Sequence, residues 1–161
     1  MADKTAAIIA GPRWWGEVQT DRNGEPTLRE NQATRKAQAK REREIMQEIV
    51  NELPEDCFVI QGGARGADSL AFSLCNTRGI HGAGVPYFGS KGRQGGYLRN
   101  QMMALLLNGL KLQGFKVKVV VVQPPEGLTT GTKMMADIAE KAGIYVKYVV
   151  YTEETEPTDA A

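Results

Sequence analysis

The run VKVVVVQ, residues 117–123, constrains this chain more than any other stretch. Its β-branched residues prefer extended backbone. It shows little polar alternation, so both of its faces need covering, as in the middle of a parallel sheet between helices. Shorter apolar runs accompany it: AAIIA at 6–10, CFVI at 57–60, AGVPYF near 83–88 and IYVKYVV at 144–150. Helical patterns separate them, from about Thr27 to Leu53, over 67–78, from about Tyr97 to Leu110, and over 132–142. Alternation of this kind predicts the α/β class: a Rossmann-like three-layer α/β/α sandwich on a mostly parallel five-stranded sheet.

The helices differ in what they have to bury. Thr27 followed by Glu30 fits a capping box that opens the first one. Its second half carries Ile45, Met46, Ile49, Val50 and Leu53 at helical spacing. Its first half, RENQATRKAQAKRERE, offers mainly alanines and is expected to project into solvent or meet a partner. The second helix turns Leu70, Ala71, Leu74 and Cys75 inward, and the third is expected to pack through Leu98, Met102, Leu105 and Leu106. The polar loop at 16–27 holds the turn signals Asn23-Gly24 and Pro26. A length of 161 residues suits one domain, expected over 1–151, with an acidic disordered tail at 152–161.

Composition removes several function classes. A net charge of +1 gives no bulk attraction to nucleic acid or to an anionic membrane. Cys57 and Cys75 are too few for a disulfide scaffold and read as small buried hydrophobes. The single His81 rules out a multi-histidine metal site, so neither a metal nor a cofactor is expected. The start, MADKTAAIIAGPRWW, does not fit a signal peptide, and no apolar run approaches a membrane span. The cytoplasm is the expected setting.

In parallel sheets ligands sit beyond the carboxyl ends of the strands. That rule gathers the loops 11–16, 61–67, 89–96 and 123–131 on one rim, all rich in glycine, with Arg13, Arg65, Lys91 and Arg93 among them. In VIQGGARGADSL, residues 59–70, Gln61 ends a strand, and Gly62, Gly63 and Gly66 would admit a ligand to the backbone before a helix whose N-terminus favours anions. Asp68 there is either a helix cap or a ribose contact. The stretch fits neither GxGxxG nor the P-loop pattern, and a plain strand–helix turn remains the alternative to a cradle. In GPRWW, Gly11-Pro12 ends the first strand and Arg13 can fork onto phosphate. Trp14 or Phe88 could stack on a base, or the two tryptophans could cover the sheet edge. Arg99 and Asn100, in LRNQMM, stand at the expected start of a helix, where the dipole does not favour an arginine and a phosphate would explain one. Thr129, Thr130, Gly131 and Thr132 supply hydroxyls and backbone donors before the last helix.

Taken in order, IIAGPR, VIQGGARGADSLA, LRNQMM and GTKMMADIAEKAGIYV resemble the SLOG superfamily, and within it the YspA-like branch, over roughly residues 6–150. The resemblance implies a Rossmann-like fold and a nucleotide-derived ligand. Members include the LOG-type phosphoribohydrolases, the DNA-processing protein A domain and sensors of ADP-ribose-derived signals. It maps Gly11 and Arg13 onto the family's first turn, Gly62, Gly63, Gly66 and Asp68 onto its second-strand motif, and Arg99 and Asn100 onto the phosphate-contacting arginine region. Gly131 and Thr132 match the end of the hydrolases' Pro-Gly-Gly-x-Gly-Thr-x-x-Glu pattern, but the glutamate position is Met135. A thioether cannot stabilise a sugar cation or activate water. Glu126 and Asp137 are the nearest acids, and Asp137 would face another direction. The expected function is therefore binding without turnover of a nucleotide-derived signal such as a cyclic ADP-ribose, with no catalytic residue, in a homo-oligomer. Family members occur in phage genomes, which implies a phage sponge acting against bacterial defence. The alternative is a LOG-like nucleoside 5'-monophosphate phosphoribohydrolase. Nucleic acid is a disfavoured partner because the charge is balanced.

Overall fold

A computed structural model describes residues 4–12, 15, 28–62, 66–85, 93–125 and 127–150, the side chains of 93–95 excepted. Five strands form one sheet: β1 (Thr5–Ala10), β2 (Phe58–Gln61), β3 (Gly82–Gly84), β4 (Lys116–Gln123) and β5 (Tyr145–Val150). Four helices connect them: α1 (Gln32–Asn51), α2 (Ala67–Arg78), α3 (Arg93–Leu112) and α4 (Thr130–Lys141). The strand order is β3-β2-β1-β4-β5, and every pairing is parallel. This is the Rossmann-like α/β sandwich that the alternating pattern predicts.

Side-chain alternation divides the core in two. Ala7, Ile9, Val59, Val120 and Val122 face one way and pack with Trp15, Met46, Val50 and Ala71. Ala6, Ile8, Ile60, Val119 and Val121 face the other way and pack with Met103, Leu107, Met135 and Ala139. Helices α1 and α2 thus cover one face, and α3 and α4 the other. The valines of β4 serve both layers, which is why the run lacks alternation. The order reverses between β1 and β4, so the loops that follow these two strands flank the switch point.

Several expectations change in detail. The third strand is described over Gly82–Gly84, and the Val85 N–H still donates to the Gln61 carbonyl at 2.9 Å; residues 86–88 of the expected strand lie outside the described residues. The first helix opens with a 3-10 turn, Arg29–Asn31, behind Leu28 with no side-chain cap, and Thr27 of the expected capping box lies outside the described residues. The first half of α1 does not simply project into solvent: Arg35, Ala39 and Glu42 are buried on its inner side. The Arg35 guanidinium grips the Glu42 carboxylate through two hydrogen bonds, at 2.8 and 3.2 Å, two turns along the same helix. The expected inward face of α3 is also overturned. Met103, Ala104 and Leu107 are buried, whereas Leu98, Met102, Leu105 and Leu106 are exposed. The loop at 16–27 and the tail at 152–161 lie outside the described residues.

The helix ends are tied to the frame. Arg78, closing α2, donates through Nη1 to the carbonyls of Val50 and Leu53 at the end of α1. A cation there also meets the negative end of the α1 dipole. The sheet has two edges. The edge strand β3 is Gly-Ala-Gly, and β5 carries Lys147, whose ammonium pairs with Glu52 at 3.0 Å. Among the described residues no helix is long and apolar enough to cross a membrane.

Candidate functional site

Parallel pairing places the ends of β1, β2 and β4 on one rim, and buried polar groups fasten the segments that follow them. At the end of β1, the Pro12 carbonyl accepts from the Trp15 N–H at 3.2 Å and from the Ala67 N–H at 3.0 Å. One acceptor therefore anchors both the first turn and the beginning of α2. Gly66, the residue before α2, has φ 73° and ψ −123°, a region open in practice only to glycine. Glycine at 66 allows the sharp entry into the helix that the sequence predicts. Asp68 is the second residue of α2 rather than its cap, nearly buried, with its charge at the favourable end of the dipole.

Arg99 is in the second turn of α3, because that helix starts at Arg93 rather than near Tyr97. The dipole argument for a phosphate at this arginine therefore lapses. Arg99 is 9 % exposed and donates through Nη1 to the Gly62 carbonyl at 3.2 Å. A Cβ on Gly62 would lie 2.8 Å from Arg99 Nε and 3.1 Å from Asp68 Oδ2. The open side of this glycine is thus occupied by the protein's own arginine and aspartate. Gly11 is similarly covered, by Ala67 and Val122. At these two glycines the place of a side chain is filled by protein neighbours.

The loop between β4 and α4 is different. Gly127 has φ 105°, and its N–H donates to the Pro124 carbonyl at 2.9 Å to close a turn. Thr129 precedes α4 with extended backbone, and its hydroxyl donates to the buried Thr132 hydroxyl at 2.9 Å. Thr130 and Gly131 are exposed, and among the described residues nothing lies within 4 Å of the positions that side chains on Gly127 and Gly131 would take. Asn100 donates from Nδ2 to the Gly131 carbonyl at 3.4 Å. Two consecutive residues of α3 thus hold two rim segments, Arg99 the end of β2 and Asn100 the start of α4. Helix α4 begins two residues earlier than the pattern predicts, so Thr130 and Gly131 open the helix.

The rim thus brings together Gly11, Pro12, Gln61, Gly62, Gly66, Asp68, Arg99, Asn100 and the Thr129–Thr132 segment. Arg13, Trp14, Gly63, Arg65, Phe88 and Lys91 lie outside the described residues, as does Glu126. Trp15 is a fully buried member of the α1–α2 core and takes no part in the rim surface. Met135, at the position of the hydrolase acid, is 1 % exposed and packs in the opposite core. Asp137 lines a groove of about 760 Å³ between α3 and α4, with Tyr97, Leu105, Lys133 and Lys141. Sequence reasoning misses this groove because it turns Leu105 inward. Among the described residues no group of His, Cys, Asp and Glu could hold a metal ion. Compared with family models and with curated proteins, the chain matches none.

Proposed function

We propose that the rim holds a phosphate-bearing, nucleotide-derived ligand without turning it over. The observation that carries this reading is the fastening of two rim segments by the side chains of Arg99 and Asn100, and of a third by the Pro12 carbonyl, next to an open β4–α4 loop. Arg99 and Asn100 pre-set the backbone, so a ligand finds donors already placed. The start of α4 offers exposed backbone and hydroxyl groups at the positive end of a 12-residue helix, beside the switch point of the sheet. The resemblance to the SLOG superfamily adds the class of ligand, a nucleotide or cyclic ADP-ribose-like signal, and with it a role in sequestering such a signal for a phage.

The core position of Met135 favours binding over hydrolysis, since the matching place holds a thioether packed among apolar side chains. Asp137 lines the α3–α4 groove two turns along α4 from Thr130, which lines the same groove. Calorimetric titration with nucleoside monophosphates and cyclic ADP-ribose isomers tests the reading. Binding of one of them is expected, with the ligand recovered unchanged after the protein is heated. Thr130→Glu, at an exposed position, is expected to weaken that binding by tenfold or more while the circular dichroism spectrum stays the same. Release of free base from a monophosphate, lost in Asp137→Asn, would replace binding by N-glycosidic hydrolysis.

A further inference from the structure

The outward side of α3 carries an exposed stripe that no other described helix or strand covers. Leu98, Met102, Leu105, Gly109 and Leu112 follow one another at spacings of four, three, four and three residues. That is the interval of the apolar seam through which two helices pack side by side. Every leucine and methionine of the stripe is exposed, Leu105 to 65 % and Leu112 to 82 %. Tyr97 and Leu106 extend it sideways. From Asn100 to Leu110 the helix contains no charged residue, whereas a solvated helix face normally carries several. Together these side chains form one exposed, mostly apolar patch of the kind that marks an interaction site. The α3–α4 groove adjoins the stripe at Leu105, and its Lys133, Asp137 and Lys141 give the stripe a polar margin, the usual anatomy of an interface.

The stripe also has a shape. Among the described residues nothing lies within 4 Å of where a Gly109 side chain would stand, so the seam has a notch at this point. In an antiparallel pairing of α3 with a second copy, a register that sets Met102 against Leu105 brings Leu98 over Gly109. The same contacts recur on the other side of the two-fold axis, as a closed pair requires. Both notches are filled, each by a leucine, and the two Met102–Leu105 contacts lie between them. A parallel pairing would instead set notch against notch.

We propose that two copies of this chain associate through α3 as an antiparallel helix pair, with Leu98 of each copy seated over Gly109 of the other. The proposal does not depend on what the rim binds. Sedimentation equilibrium over 1–100 µM tests it. The unaltered chain is expected to be dimeric. Leu105→Glu is expected to be monomeric with an unchanged circular dichroism spectrum, because the side chain is exposed in the single copy. Gly109→Leu is the sharper test. It replaces a helix-interior glycine by a good helix former in open space, so the single copy gains stability. Filling the notch is nevertheless expected to weaken association at least tenfold. Tighter association of Gly109→Leu would overturn the antiparallel register. A monomeric parent at 100 µM, or a Leu105→Glu variant that remains dimeric, would overturn the interface.

Discussion

A methyl group on Gly11 would sit 2.8 Å from the Ala67 Cβ and 3.1 Å from the Val122 Cβ. Neither neighbour can rotate away, since one Cβ is carried by the first turn of α2 and the other by the middle of the sheet. Gly11→Ala is therefore expected to cost about 1–3 kcal/mol, the usual range for overpacking, read as a lowered urea midpoint. The glycines of the rim are legible in the sequence as places where the chain needs freedom, but not in what fills them. Gly66 supplies a backbone conformation, Gly62 makes room for Arg99 and Asp68, and Gly11 makes room for a helix. One letter stands for three physical needs, and only packing separates them. The cysteines are simpler. Burial pushes the Cys57 thiol up to about 11, with Lys118 opposing, and burial also raises Cys75. Both thiols are expected to resist alkylation at pH 8 until the protein is unfolded, with Cys57 reacting roughly a hundredfold more slowly than an exposed cysteine. The folded pKa of Cys57 exceeds the unfolded one, so the fold favours its protonated form. That contribution is intact below about pH 9 and is lost as pH rises through about 11, which urea melts across this range would register.

At the level of elements, α1 and α3 show where periodicity misleads. Helix α3 has apolar residues around most of its circumference, so spacing alone selects no buried face. The face at 100, 103, 104 and 107 wins because Arg99 and Asn100 reach carbonyls at Gly62 and Gly131 from there. A reading that keeps polar residues out of the interior turns the helix the wrong way. Helix α1 repeats the point, since two of the inner residues of its charged half are an arginine and a glutamate. The two charges satisfy each other in the interior through a forked pair of hydrogen bonds. Arg35→Met leaves the Glu42 carboxylate in a buried site without this partner and is expected to destabilise by about 3–5 kcal/mol. The double variant Arg35→Met/Glu42→Leu is expected to recover most of that loss. A thermodynamic cycle from urea melts of the three variants would measure the difference.

For the molecule as a whole, the strand–helix alternation and the character of β4 carry the architecture, and the sequence predicts the rim because a parallel sheet leaves its loops few other places to go. The division of labour on that rim is not legible, since it depends on contacts between residues 31 to 37 positions apart. The edges of the sheet lead to a different matter, how such a molecule could polymerise. Strand addition that continues from copy to copy needs two usable edges on each copy. At one edge the described part of β3 is Gly-Ala-Gly, whose glycines would hold an incoming strand weakly. The other edge, β5, carries a lysine held by Glu52, a charge that discourages a further strand. Growth from sheet to sheet would have to use both, so each edge opposes a fibre when these molecules are crowded.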